Sequence, residues 1–321
     1  MSQSNGVKAG HTVFQEERVA KVYHLIESAT GPFALHALQQ LPTPTAPIHM
    51  LDLACGTAIA THHAQTLLET LSKSTPSILS ASTFVLADSS AQMLKAADAT
   101  AHRNGWMNHI TRECDMMHLP FPNDTFTHIL CTFGPAICAQ PPRCLAECHR
   151  VLRPNGHVAF TFWSTVGWHP EVVAGFDHIR TSAAQAVTAG TATPDQQKLQ
   201  HLPPAPTNAG LINGFNARHD PANAKWHEKD HIAAQMLQAG FRNVKITLHR
   251  RTSVYTPEEV RVIMAPMMGL FKNTVWDEEV LRKLDDVDVG RAFGEWIAGK
   301  YEGAEKVEWD DWSAWVVTAE K

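Results

Sequence analysis

The run Leu51-Asp52-Leu53-Ala54-Cys55-Gly56-Thr57 joins an apolar strand to a tight turn of small side chains that opens a helix. Such a turn makes a ligand cradle. Small side chains let backbone N–H groups approach a bound molecule closely, and the helix start adds N–H donors that have no partner within the helix. Further on come Asp88-Ser89-Ser90-Ala91-Gln92-Met93-Leu94, then Arg112-Glu113-Cys114-Asp115-Met116-Met117-His118-Leu119-Pro120-Phe121, then Arg150-Val151-Leu152-Arg153-Pro154-Asn155-Gly156. Taken singly, each acid has a plain structural use. Asp88 can cap a helix starting near Ser90, Asp115 can shape a turn before Leu119-Pro120, and Asp52 can end a strand in solvent. A nicotinamide-type loop is disfavoured, because GxGxxG does not follow the first strand.

The elements that must position these residues alternate. A leading helical arm covers Phe14 to Gln40 and stops at the Pro-rich stretch Leu41 to Pro47. Strands are expected over Ile48–Leu53, Thr83–Ala87, Ile110–Cys114, Thr127–Phe133 and His157–Trp163, with helices over Ala58–Leu71, Ser90–Arg103 and Arg143–Leu152 between them. That rhythm predicts a parallel sheet, with ligands at the carboxyl ends of its strands near the point where strand order reverses. After Trp163 the pattern breaks. A helix over Glu171–Val187 leads into a Thr, Pro, Ala, Asn and Gly-rich segment to about Ala224, a length that suggests a lid or linker. A helix over Lys229–Ala239 ends at Gly240, a strand follows around Val244–Leu248, and the last apolar run, Trp312–Thr318, makes another strand. Between those two strands lie the Met-rich Pro257–Asn273 and an amphipathic helix within Asp277–Lys300, read as cap elements. The expected organisation is one domain over 1–321. It has an arm at 10–45, a ligand-binding core at 48–164, and cap or lid insertions at 165–228 and 255–300.

Composition narrows the partners. The chain has 321 residues, 44% of them hydrophobic, and a formal charge of −5 with no Lys/Arg stripe, so nucleic acid is excluded as an expected partner. The polar start, Met1 to Gly10, lacks the apolar core of a signal peptide, and no apolar run is long enough to span a bilayer. A cytoplasmic protein is expected. Cys55, Cys114, Cys131, Cys138, Cys144 and Cys148 sit mostly in apolar patterns that suit buried, reduced thiols. Cys144, Cys148 and His149 raise a zinc idea that no CxxC pair accompanies, and the 19 histidines are numerous but scattered, so no metal is expected.

In their order, the four quoted runs resemble the class I S-adenosylmethionine-dependent methyltransferases, in the branch that includes the ubiquinone and menaquinone C-methyltransferases. The resemblance covers Met50 to Trp163. It implies an α/β, Rossmann-like, doubly wound, mostly parallel seven-stranded sheet with an antiparallel last strand, here with helical cap insertions. It also implies S-adenosyl-L-methionine as cofactor and S-adenosyl-L-homocysteine as its product. Within it, Asp52 orders the loop or meets the methionyl amino group, while Ala54, Cys55 and Gly56 bring backbone against the cofactor. Asp88 accepts from both ribose hydroxyls, and Asp115 accepts from the adenine amino group with Met116 supplying the adjacent backbone donor. Ser89 and Met93 pack on adenine, and Thr132 and Phe133 lie near the sulfonium. Outside the span of the resemblance, Phe14 and Tyr23 of the leading arm are expected, from their apolar character, to close over the cofactor. One departure stands out. Family members commonly carry Gly at the position of Ala58, and often at Ala54; an extra methyl is tolerated there if φ is negative and otherwise narrows the space beside the methionine moiety.

The resemblance puts the acceptor site after the fifth strand. His169 is the candidate base, with the structural alternative of a surface or hydrogen-bonded histidine. Trp163, Trp168, Met264, Met267, Met268 and Phe271 are the candidate pocket walls, or else core. A small, mostly apolar acceptor methylated on O, N, C or S follows from these residues and the acidic charge. The competing readings are a cofactor-binding protein without methyl transfer, motivated by Ala58, and a rearrangement catalyst that uses the sulfonium charge.

Overall fold

From Met50 to Leu53 the first strand, β1 (His49–Leu53), is buried without alternation, the pattern of a strand covered on both faces. A computed structural model, which describes residues 17–219, 224–264, 278–284 and 287–321, shows why. Its other strands are β2 (Thr83–Asp88), β3 (His109–Glu113), β4 (Phe126–Thr132), β5 (Leu152–Thr165), β6 (Arg242–Tyr255) and β7 (Val307–Glu320). They form one seven-stranded sheet of order β3-β2-β1-β4-β5-β7-β6, in which β1 to β5 run parallel and β7 runs antiparallel to both its neighbours. The chain leaves β1 toward β2 on one side and returns to β4 on the other, so the carboxyl end of β1 is a switch point.

Period-two geometry sends successive residues to opposite layers. Met50, Phe84, Leu130 and Val316 meet helices α1 (Glu17–Gln39) and α2 (Ile59–Leu71). Leu51, Val85, Ile129 and Val317 face the other way, onto α5 (Pro141–Val151) and α9 (Lys229–Gln238). Two further helices, α3 (Ser77–Ser80) and α4 (Ala91–Arg103), complete the core, and Ser90 caps α4 by accepting from Met93 N at 3.2 Å. Cys144 and Cys148 are buried in the α5 layer as free thiols, and no group of three or more His, Cys, Asp or Glu that could hold a metal occurs among the described residues. None of the described helices is long and apolar enough to cross a membrane.

Beyond β5 the structure is more regular than expected. The segment read as a lid or linker holds two helices, α7 (Pro194–Leu199) and α8 (Asn208–His219). Thr193 and Gln196 form a capping box around Pro194 at the first helical position, a start signal hidden within a Pro- and Thr-rich composition. With α6 (His169–Thr188), α10 (residues 257–264), α11 (Glu278–Lys283) and α12 (Val289–Lys300), these helices pack over Phe33 of α1 and Trp309 and Trp312 of β7. Glu171 ties α6 to the end of α12 by accepting from Lys300 Nζ at 2.7 Å and from the Tyr301 hydroxyl. The strands β6 and β7 are both longer than the sequence suggested, because each pairs along the other from Arg242↔Glu320 to Tyr255↔Val307.

At the opposite end of the sheet from the carboxyl edge, burial and the neighbouring His157 ring, 5.7 Å away between centroids, push the His128 imidazole down to about 4. The unfolded chain therefore binds one more proton than the native state between pH 4 and the ordinary histidine range near 6.5, and this group's contribution to stability falls as pH drops through that window. Burial pushes Asp52 and Glu27 up to about 7, and these act in the opposite direction. The difference between wild type and His128→Gln isolates the histidine. Urea denaturation is expected to show wild type losing up to about 2 kcal/mol more than the variant between pH 7.5 and pH 5. Equal losses would mean that His128 is not held neutral by the fold.

Candidate active site

The turn after β1 takes the left-handed conformation at every second residue, with φ of +55° at Ala54, +53° at Gly56 and +71° at Ala58. Two ties hold it there. Below the turn, Asp52 is fully buried and its Oδ2 accepts from Thr61 N at 3.0 Å and Thr61 Oγ1 at 2.7 Å, pinning the first turn of α2 to the strand. Above it, Asp88 at the end of β2 accepts from Gly56 N at 3.0 Å through Oδ2 and from Ser90 N at 2.9 Å through Oδ1. Asp88 is thus a bridge between two loops, and Ser90 is the α4 cap.

Beside this bridge opens a cavity of about 310 Å³, within the size range of small-molecule sites. Of the residues singled out from sequence, Tyr23, Ala54, Gly56, Asp88, Ser89, Met93, Asp115, Met116, Thr132, Phe133, Trp163 and Trp168 all line it. Asp115 sits exposed at the rim, where its Oδ1 accepts from Met117 N at 2.8 Å and shapes the turn. Tyr23 of α1 lies over Gly56, and burial with the nearby Asp88 carboxylate pushes its phenol far up, so it stays protonated.

Other expectations are corrected. Asp52 lies beneath the loop and does not line the cavity, which leaves it the loop-ordering role of the two considered. Cys55 is buried away from the cavity, its N donating to Ala87 O at 3.0 Å. His169 does not line it either. Its Nε2 donates to Pro206 O at 3.0 Å and fastens α6 to the segment before α8, the structural alternative for a lone histidine. Met264 is fully buried in the cap core, and Phe14, Met267, Met268 and Phe271 lie outside the described residues. The condition set on Ala58 fails, since its φ is positive, yet its methyl does not reach the cavity. Ala58 is fully buried against Leu86, Ala97, Ala101 and Trp106 and is absent from the cavity wall.

The cavity also has walls that the sequence reading missed. Ile26 and Thr30 come from α1, Gly134, Ile137 and Cys138 follow β4, Leu211 and Ile212 come from α8, and Trp312 from β7. At Gly134 a Cβ would fall 2.6 Å from Cys131 Sγ and 2.9 Å from Ala54 Cβ, so only glycine fits; a glycine just behind a strand end was the available signal. The loop carrying Asp115 is clamped from below. Arg150 donates to Leu119 O at 2.9 Å and Phe121 O at 2.8 Å while paired with Glu147, which itself accepts from Leu119 N at 2.8 Å. The Arg150 guanidinium holds the Glu147 carboxyl below its ordinary range.

Residues 51–160 match the family described as methyltransferase domain. That stretch carries a methyltransferase domain. Over 299 residues, 92% of each chain, it is 23% identical to the acetylaranotin bis-thiomethyltransferase of Aspergillus terreus. It is 26% identical over 208 residues to the demethylmenaquinone methyltransferase of Streptomyces griseus, covering 63% of this chain and 76% of the relative. Among solved structures, phosphoethanolamine N-methyltransferase 2 of Haemonchus contortus, in complex with S-adenosyl-L-methionine, shares the fold with a TM-score of 0.52 and 13% identity, covering 98% of this chain and 60% of that one. The residues of the methyltransferase cavity fit the cofactor: bare backbone at Gly56 and Gly134, two carboxylates on the wall, and an apolar floor at Met93 and Met116.

If Asp88 receives the cofactor's ribose, Asp88→Ala should weaken S-adenosylmethionine binding by about 100-fold or more in isothermal titration, the loss of charge-assisted hydrogen bonds at roughly tenfold per 1.4 kcal/mol. Asp88→Asn should cost less, because an amide oxygen still accepts. Affinity for Asp88→Ala within a few-fold of wild type would overturn the assignment.

Proposed function

We propose that the protein transfers the methyl group of S-adenosylmethionine to a small, largely apolar acceptor, with a thiol as the favoured acceptor group. The single cavity that joins the Asp88 and Asp115 rim to an aromatic wall carries this reading. In it, the backbone at Ala54 and Gly56 would lie against the methionine moiety, Asp88 would accept from the ribose hydroxyls, and Asp115 with the Met116 N–H would meet the adenine edge. Ser89 and Met93 would pack on the base, Thr132 and Phe133 would flank the reacting centre, and Tyr23 would close over it. Asp52 acts at one remove, holding the turn through Thr61.

The bound cofactor supplies a methyl group already activated by a positive sulfur. What remains for the protein is to hold the acceptor in line and keep water out. Ile26, Val166, Leu211, Ile212 and the indoles of Trp163, Trp168 and Trp312 do both, since they offer apolar contact on the far side of the cavity. His169, committed to Pro206, has no place in the transfer. A thiol suits these walls because it ionises near neutrality without help, with an ordinary pKa of about 8.5. The relative that matches along 92% of both chains is a bis-thiomethyltransferase, which supports sulfur over oxygen, nitrogen or carbon. The reading without methyl transfer loses its motive, because the Ala58 methyl is turned into the core.

Incubation with S-adenosylmethionine and a panel of aromatic thiols, phenols and anilines should give thiol products heavier by one methyl group, with S-adenosylhomocysteine formed in equal amount. The rate should rise with pH along the ionisation of each thiol, and His169→Ala should leave it unchanged. Tight cofactor binding with no methylated product across the panel would overturn the proposal.

A further inference from the structure

We propose that Asn208 is a positioning residue for the acceptor: it clamps α8 to the end of β5 and so holds Leu211 as the side chain that decides which acceptors fit. The inference rests on reading the far end of the cavity as the acceptor site. Helix α8 begins Asn208-Ala209-Gly210-Leu211-Ile212-Asn213-Gly214, and two glycines in its first two turns give it little helical propensity of its own. It is held from outside. Thr207 caps it by accepting from Gly210 N at 3.0 Å through Oγ1, and His169 fastens the residue before that cap. The Asn208 side chain is thereby left to act on the sheet. Its Oδ1 accepts from Val166 N at 3.1 Å and its Nδ2 donates to Ser164 O at 3.1 Å, so the carboxamide pairs with the strand end as the peptide group of a neighbouring strand would.

Further along α8 a second carboxamide supplies the counterpart. Asn213 is 3% exposed; its Oδ1 accepts from Trp226 N at 2.9 Å, while its Nδ2 reaches Ala209 O at 2.8 Å and His227 Nδ1 at 2.7 Å. The segment it grips is itself fixed, since the Trp226 ring stacks on Phe162 of β5 at 5.5 Å and His227 O accepts from Trp315 Nε1 of β7 at 2.8 Å. Leu211 and Ile212 lie between the two clamps, and both border the cavity. Ile212 is buried, whereas Leu211 is only half-buried and keeps surface to offer a ligand. Trp163 and Val166 border the same cavity on the stretch of backbone that Asn208 holds, so the two polar bonds of one side chain fix Leu211 relative to them. Gly56, Asp88 and Asp115, at the other end, belong to elements that Asn208 does not bond. Loosening α8 should therefore change acceptor fit and leave cofactor affinity in place.

Two aromatic thiols of different bulk, benzenethiol and 4-tert-butylbenzenethiol, are titrated into protein saturated with S-adenosylhomocysteine, and S-adenosylmethionine is titrated separately into each free protein. Leu211→Ala, which keeps both clamps, should shift the ratio of the two thiol affinities toward the bulkier one by about tenfold or more, the scale on which an apolar pocket reads a missing methylene. Asn208→Ala, checked for folding by its melting temperature, should weaken benzenethiol about tenfold, with S-adenosylmethionine within twofold of wild type. Asn208→Asp still accepts from Val166 N but no longer donates to Ser164 O, and it should fall between the two, a graded rescue that a general loss of stability would not give. An unchanged ratio in Leu211→Ala, wild-type thiol affinity in Asn208→Ala, equal losses of thiol and cofactor affinity, or no binding of either thiol to wild type would each overturn the proposal. No methyl transfer is measured and cofactor affinity is read on its own, so its failure is distinct from failure of the methyltransferase reading.

Discussion

One carboxylate holds the mouth of the cavity together. Asp88 accepts from the backbone N–H of Gly56 in one loop and of Ser90 in another, so the turn after β1 and the turn after β2 cannot move apart without leaving a polar group unmet. Both loops sit at the carboxyl edge of the sheet, beside the switch point that any doubly wound sheet must have. The bridge works because β1 and β2 are parallel neighbours paired from His49↔Thr83 to Leu53↔Ala87, which brings their ends level. An acid at the end of β2 is therefore placed by the sheet, and the loops are placed by the acid.

The turn it holds is conformationally expensive. Ala54 and Ala58 stand in the left-handed region, at a cost of roughly 1–2 kcal/mol each for an L-residue. Such strain persists where neighbouring contacts over-determine the backbone. Here Asp52 and Thr61 fix the helix start from below, at the price of a buried carboxyl driven up to about 7. The Ala58 methyl returns part of the cost by packing into the apolar layer of α4, where burial of one methyl is worth about 0.8 kcal/mol. An alanine that looked from sequence like an obstruction beside the ligand is a core residue of the neighbouring helix layer.

The sheet and the acid-bearing rim of the cavity were legible because both are local. Alternation of apolar runs and helical patterns located β1 to β5 within a few residues, and the acids at strand ends fell where parallel strands place them. The rest of the cavity wall was legible only in part: Trp163 and Trp168 were named from sequence, but Thr30, Leu211 and Trp312 join them only through the tertiary arrangement. Two errors have the same origin. Met264 shares helical spacing with cavity-like neighbours but is turned into the cap core, and His169 follows β5 as a base would while its ring is spent on Pro206. Spacing along a chain gives a face of a helix; it does not say what that face meets. Gly134 and Arg150 were different: each had a signal, a glycine behind a strand and an Arg within a quoted run, but its purpose appears only with Cys131 or Leu119 beside it.

Strand direction explains how the last strand reaches the site. The insertion of β7 between β5 and β6, antiparallel to both, pairs Trp163 with Ala314 and Thr165 with Ser313, so the beginning of β7 arrives at the same edge as the ends of β4 and β5. Trp309 and Trp312 are delivered there, against the cap and the cavity. The end of β7 goes to the other edge, where Lys321 N donates to Gly156 O at 3.1 Å and Lys321 Nζ to Asp124 Oδ1 at 2.6 Å. A parallel strand in that place would put the lysine end beside the cofactor rim and the tryptophans at the far side of the sheet. The one reversed strand thus builds the aromatic wall from residues about 150 positions apart, and it does so through backbone pairing alone.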